Sequence, residues 1–267
     1  MHEPLISTFG VLRRRFDQKR REEGLFSALS YIVRLGFSVL LTPWYQITRG
    51  RKTFTFRGRK LRYFVHWYNT TFDNERAIEI PIALAALSLT LQPVRTGQRP
   101  GGQSSGQAPC GRILEVGNVL SHYVPICHDV LDKYERGEHI IHEDVADFSP
   151  THPYDLIISL STLEHVGFEE EIQDRQKIFR AMQRLRSALA PDGRLLATIP
   201  VGFNPHLAPL LLSGELFDRQ HYFVRTSASN RFEETSPQEA LSRQFNHPYS
   251  FGNGIVIGLI GPWPEKF

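Results

Sequence analysis

Residues 112–123 read RILEVGNVLSHY. An apolar run (Ile113, Leu114, Val116) carries one acid, Glu115, near its end and turns at Gly117. Strands buried on both faces have this composition, and glycine lets a backbone turn tightly and come close to a ligand. Open α/β sheets bind ligands just beyond the carboxyl ends of such strands. Residues 112–117 are therefore predicted to be the first strand of an α/β sheet, with Gly117 and Asn118 at its ligand-binding turn.

The pattern repeats downstream. Residues 126–132 (ICHDVLD) predict a second strand ending in Asp132, and residues 139–148 (HIIHEDVADF) a short third ending at Glu143 and Asp144. Residues 154–166 (YDLIISLSTLEHV) predict a strongly buried fourth. Residues 177–190 have helical periodicity, stopped by the turn Pro191-Asp192-Gly193, and RLLATIPV (194–201) follows as a fifth strand. Alternating strands and helices predict a Rossmann-like, doubly wound, mostly parallel α/β sheet with helices on both faces. The tail adds YFVR around Phe223 and GIVIGLI from Gly254, which suit a final antiparallel pair at the sheet edge.

Ahead of this domain (112–267) lie an N-terminal module (1–91) and a Gly-, Pro-, Gln- and Ser-rich linker (92–111). Residues 9–23 read as a short charged helix. Residues 25–45 are almost wholly apolar, with Ser27, Ser30, Arg34 and Ser38 forming one narrow polar stripe on a helix. Arg34 near the middle and basic clusters at both ends favour a helix lying in a membrane interface over a span, with a helix packed on the protein's own core as the alternative. Residues 52–66 predict a β-hairpin with an aromatic face and an Arg-Gly turn. Residues 67–87 (WYNTTFDNERAIEIPIALAAL) place polar groups before an apolar helix, with Thr71, Asp73 or Asn74 as its cap. His66, Tyr68, Asn69 and Arg76 are the candidate site-lining residues of this segment.

The formal net charge of +3 hides an uneven distribution: up to Arg62 there are 14 Lys and Arg against 4 Asp and Glu, and thereafter 17 against 24. A basic arm on an acidic body suits an anionic membrane surface and makes nucleic acid the less favoured partner. Cys110 and Cys127 have no CxxC or zinc spacing, so no metal is expected and the thiols suit a reducing, cytoplasmic setting. The oligomeric state is open.

The predicted strand ends gather Glu115, Gly117, Asn118, Asp132, Asp144, the segment from Ser159 to His165, and the segment from Ile199 to Asn204. Acids dominate the first three ends and no GxGxxG loop is present, which disfavours a nicotinamide-dependent oxidoreductase, the third reading of such a sheet. A cationic, hydroxyl-rich nucleoside fits instead, since carboxylates accept hydrogen bonds from ribose and balance a positive charge.

On these residues the chain resembles the class I S-adenosylmethionine-dependent methyltransferases from about Arg112 to the C-terminus. Glu115-Val116-Gly117 is similar to that family's first motif, and Leu163-Glu164-His165 to its fourth-strand signature. The resemblance implies S-adenosyl-L-methionine as cofactor, with Asp132 on the ribose, Asp144 near the adenine amine, and Ser161 and Glu164 at the fourth strand end. Val119 and Ser121 stand where the family has further glycines, so the loop must take a different path. The Asn/Asp-Pro-Pro-Tyr signature of base-methylating members is absent. The implied enzyme moves a methyl group to an acceptor that the resemblance does not name; the basic apolar arm, holding the chain peripherally at a membrane, points to a lipid-linked or glycan-precursor small molecule. His165 and His66 are the candidate bases, and Tyr68, Asn69, Arg76 and Asn204 the candidate acceptor contacts. The rival is an inactive methyltransferase-like module recruited to a membrane, to which the missing glycine points.

Overall fold

The computed structural model describes residues 20, 24–91, 111–137 and 139–267. The charged helix expected over 9–23 and the linker over 92–111 lie outside these residues apart from Arg20 and Gly111, as do the side chains of the stripe Ser27, Ser30, Arg34 and Ser38.

In chain order, helix α1 (Leu25–Thr48) leads to a hairpin of β1 (Thr53–Phe56) and β2 (Arg59–Arg62). Arg57 and Gly58 both take positive φ, 47° and 75°, the mirror-image turn that matches the twist of a two-residue hairpin. Alternation buries Phe54, Phe56 and Leu61, which pack with Phe223 and Phe267. A 3-10 turn, Tyr68–Asp73, precedes helix α2 (Arg76–Thr90). Of the three expected caps, Asn74 serves the helix start: its Oδ1 accepts from the Arg76 N–H at 3.0 Å.

The sheet then forms from β3 (Ile113–Val116), β4 (Asp129–Leu131), β5 (Ile140–Ile141), β6 (Tyr154–Leu160) and β7 (Leu189–Pro200), all parallel, in the order β5-β4-β3-β6-β7. Helix α3 (Lys177–Ser187) separates β6 from β7, and helix α4 (Leu207–Ser213) precedes β8 (Arg219–Arg225). β9 (Phe232–Glu234), helix α5 (Pro237–Leu241) and β10 (Gly254–Ile260) complete the described elements. The expected α/β, Rossmann-like, mostly parallel fold is the one observed, with the order reversal between β3 and β6 that marks a ligand crevice.

Three details differ from the sequence reading. GIVIGLI does not sit at the edge: β10 lies between β7 and β8, antiparallel to both, and β9 takes the edge. All seven β10 residues are buried, which requires a strand on either side. Gly258 also leaves room for the Phe217 ring, which a Cβ would approach to 2.4 Å. Second, Pro191-Asp192-Gly193 is not a turn that ends a helix. α3 stops at Ser187, β7 is already paired at Leu189, and the register slips between Tyr154 and Leu156. Third, no α-helix joins β3 to β4, whose connection holds only a 3-10 turn, Leu120–His122. That face is covered by α2 and the hairpin, which share one buried cluster with Ile113, Leu156 and Leu196. α3 covers the other face through Ile178, Ala181, Met182 and Leu185, spaced three, one and three apart.

Candidate active site

The strand ends at the order reversal open into a cleft with two compartments. The larger, about 330 Å³, is lined by Tyr68, Asn69, Arg76, Asn118, Tyr123 and Ser161 among others. The smaller, about 90 Å³, lies against Leu131, Glu143, Asp144, Val166 and Glu170. Gly117, Asp132, Tyr134, Thr162, His165 and Glu169 line both. Asp132, Glu135, Glu143, Asp144, Glu169 and Glu170 face the cleft against only Arg76 and Lys133, so it favours a cationic ligand.

Gly117 sits at φ 83°, and a Cβ there would lie 2.3 Å from the Thr162 hydroxyl, so the turn after β3 and the turn after β6 meet only because this residue is glycine. Glu115 is fully buried beneath that turn. Its Oε1 accepts from the Val119 and Leu120 N–H groups at 2.8 and 2.7 Å, and its Oε2 meets His128 Nε2 at 2.9 Å. With no second glycine at Val119, the loop's path is held by this carboxylate. Glu115 therefore shapes the cleft without lining it.

Asp132 ends β4. Its Oδ1 accepts from the Tyr134 and Glu135 N–H groups at 2.8 and 2.7 Å, and its Oδ2 sits 3.4 Å from the Asn118 N–H. One oxygen is thus fixed by the local turn and the other faces the cleft beside Gly117. Asn118 is oriented by Glu135, which accepts from its side-chain amide at 2.6 Å.

Asp144 lies in the smaller compartment within an ion network that sequence reasoning missed. Its Oδ2 pairs with Lys177 at 2.7 Å and Lys133 at 2.9 Å, while Oδ1 accepts from the Ala146 N–H at 3.0 Å. Glu170 pairs with the same two lysines. Burial alone would raise the Asp144 carboxyl, but these partners, Lys177 foremost, hold it down at about 2. Lysines 44 residues apart in sequence carry no common motif, which is why this cluster was unread.

At the opposite wall, the 3-10 turn Leu163–His165 follows β6. His165 Nδ1 meets Glu169 Oε2 at 2.6 Å, and its ring packs on Phe203 at 4.6 Å between centroids. Glu164 points inward; burial pushes its carboxyl well above the usual range, and its Oε2 has no partner among the described residues. Ser161, at φ 40°, donates to Glu79 Oε1 at 2.6 Å. Arg76 bonds Glu79 at 2.9 Å and the Leu160 carbonyl at 2.9 Å, tying α2 to the end of β6. Tyr123, pushed up to about 12 chiefly by burial, stands over Tyr68 and closes this side with His122.

The cleft thus gathers Gly117, Asn118, Asp132, Asp144, Ser161, His165, Tyr68, Asn69 and Arg76 from the sequence-derived candidates. It does not gather four others. Glu115 and Glu164 are buried behind it. His66 accepts from the Tyr68 N–H at 3.1 Å and supports the wall from outside the cleft, where burial lowers its pKa. Asn204 is buried with its amide on the Glu164 carbonyl at 3.0 Å, beside a separate small cavity. The hairpin packs on β8 and β9 rather than over the cleft; only the 3-10 turn after it reaches the rim.

No protein-family model and no curated protein matches the chain. Solved structures do. The N-methyltransferase NodS from Bradyrhizobium japonicum, determined with S-adenosyl-L-homocysteine, is 15% identical, over 56% of this chain and 76% of that one, at a TM-score of 0.35. A SAM-dependent methyltransferase from Thermotoga maritima is 16% identical over 58% and 83%, at 0.37. The DhpI–SAH complex is 15% identical over 86% and 96%, at 0.32. Likenesses this distant decide nothing about the chemistry of the present cleft, which rests on its own residues.

Proposed function

We propose that this chain is an S-adenosylmethionine-dependent methyltransferase acting on a small-molecule acceptor. The observation that carries the reading is the Gly117 turn at the order reversal, where a Cβ-free backbone meets Thr162 and the Asp132 carboxylate stands beside it. That cradle fits the cofactor: a carboxylate suits ribose hydroxyls, the net acidic wall suits a sulfonium, and Leu131 and Val166 suit a flat apolar ring. Asp132, Asn118 and Gly117 would hold it, with Asp144 at the adenine end. When bound, it supplies a methyl carbon activated by a positively charged sulfur.

The chain's own contribution is alignment and proton handling. Tyr68, Asn69, Arg76 and Tyr123 form the acceptor wall, which suits a compound bearing amines or hydroxyls, such as a glycan precursor. Glu169 engages His165 Nδ1 at 2.6 Å and Glu164 Oε1 lies 3.7 Å from Nε2, so two carboxylates fix the ring at the cleft wall, where His165 is the candidate base for the acceptor's proton. Incubating the protein with methyl-labelled S-adenosylmethionine and a panel of amino and hydroxylated sugars tests this. Label transfer that is lost in His165→Ala is expected; transfer undiminished in that variant removes His165 from the role.

A second reading, a cofactor-binding fold that has lost catalysis, is favoured by one observation. Both Asp144 oxygens are already engaged, which leaves the adenine end crowded. Cofactor binding without label transfer to any acceptor would select it.

A further inference from the structure

A second cavity, of about 360 Å³, lies away from the cleft where α1 ends and the hairpin begins. Arg49, Arg51, Lys52 and Arg231 line it with Asn230. Residues 49–62 (RGRKTFTFRGRKLR) hold seven basic residues and no acid, and among the described residues none of the seven makes an ion pair. Around the cavity the compensation is thin: Asp73 pairs with Arg225, and Glu233 with Arg231. Asn230 is 3% exposed, with its amide on the Asn74 carbonyl at 2.8 Å and its Oδ1 lacking a partner among the described residues. Cations in excess of their counter-charges suit a ligand that carries phosphate.

The neighbouring helix points to where such a ligand would come from. On α1, Leu25, Leu29, Ile32, Leu40, Trp44 and Ile47 recur at three-, four- and eight-residue intervals on one face, each 42–76% exposed. Phe26 and Phe37, 87% and 61% exposed, widen that face. A patch of this extent on one element marks an interaction surface. Among the described residues no helix is long and apolar enough to cross a membrane. An apolar helical face ending in uncompensated cations is the arrangement of a helix lying in a bilayer interface.

We propose that α1 lies in the surface of an anionic bilayer and that the Arg49–Arg51–Lys52 cavity takes the phosphate of a lipid. This does not depend on the methyl-transfer reading. The helix end is fixed to the protein: the Arg49 and Gly50 N–H groups both bond the Tyr45 carbonyl, and Tyr45 stacks on Phe72 at 4.3 Å. Phe72 belongs to the 3-10 turn whose Tyr68 and Asn69 line the cleft, so the bilayer contact and the acceptor wall meet on one short segment.

Co-sedimentation of the full chain with vesicles tests the proposal. The two preparations are phosphatidylcholine alone and phosphatidylcholine with phosphatidylglycerol. Binding to the second and not the first is expected. Affinity should fall about tenfold or more in Arg51→Glu/Lys52→Glu, whose sites are exposed, and in Leu40→Glu on the apolar face. Circular dichroism confirms that both variants are folded. Equal binding to both vesicle types, no binding, or binding unchanged in the charge-reversed variant would overturn the proposal. So would saturable binding of soluble glycerol phosphate with no vesicle binding, which would assign the cavity to a free phosphorylated compound. An α1-mediated dimer that ignores vesicles would assign the apolar face to a second copy and overturn it equally.

Discussion

The two cavities are close in size, about 330 and 360 Å³, and opposite in charge. The cleft at the strand ends is walled by acids, the pocket at the end of α1 by cations. Each inherits the composition of the chain around it, because the basic excess ends near Arg62 and the acidic excess begins after it. What differs physically is how the charges are used. In the cleft nearly every carboxylate has a partner: Asp132 carries a turn, Asp144 two lysines, and Glu169 the His165 ring. In the basic pocket Arg51 and Lys52 pair with no acid among the described residues. Satisfied charges build a preorganised site, while unsatisfied ones at a surface await a counter-charge from outside.

Changes on one side should therefore leave the other untouched. The largest expected effect is that of Gly117→Val. A Cβ 2.3 Å from the Thr162 hydroxyl, on a backbone at positive φ, forces the two turns apart, and binding of S-adenosylhomocysteine should fall below detection. Vesicle binding should persist, and its loss would show that the two sites are not separable. Next, His165→Gln should lower methyl transfer by about 10²–10⁴-fold, the usual worth of a positioned general base, with cofactor affinity little changed. A drop in affinity without a drop in turnover would recast His165 as a cofactor contact.

Two smaller effects sharpen the contrast between satisfied and unsatisfied charge. Asp144 has its folded-state pKa depressed to about 2, so its contribution to stability is complete above the ordinary carboxylate range and is lost as pH falls through 2. Asp144→Asn should cost about 1 kcal/mol at neutral pH, after allowance for solvent screening, and progressively less as pH falls toward and below 2. Glu164 has the opposite sign. Its raised pKa means the folded state prefers the protonated form, so its contribution is present below the ordinary glutamate range and is lost as pH rises toward the raised value. Glu164→Gln should thus flatten the alkaline side of the stability profile. Thermal melts from pH 4 to 9 check this, and an unchanged profile would mean that Glu164 ionises freely.

Much of the architecture was legible in the sequence because buried strands are written as unbroken apolar runs. Gly254–Ile260 is such a run, and Ile113–Val116 and Tyr154–Leu160 come close, broken only by Glu115 and by Asp155 and Ser159; each is a strand. Position within the sheet was not legible. That β10 is central follows from its burial on both sides, which the run GIVIGLI shares with any buried strand. Site residues next to a strand end could be named from order alone, as Gly117, Asp132 and His165 were. What could not be seen was where a side chain points. Glu115 and Glu164 sit at the right places in the motif and turn inward, the first to hold a loop that lacks a second glycine, the second into the core. Lys177 reaches Asp144 from a helix outside every predicted strand end, and no local pattern announces it.

Calorimetric titration with S-adenosylmethionine and S-adenosylhomocysteine, on wild type, Asp132→Ala and Arg51→Glu/Lys52→Glu, tests the central claim most directly. Micromolar-range binding to wild type and to the charge-reversed pocket variant is expected, with at least a tenfold loss in Asp132→Ala. No heat of binding from folded wild-type protein, or equal affinity in Asp132→Ala, would contradict the assignment of the acidic cleft to this cofactor.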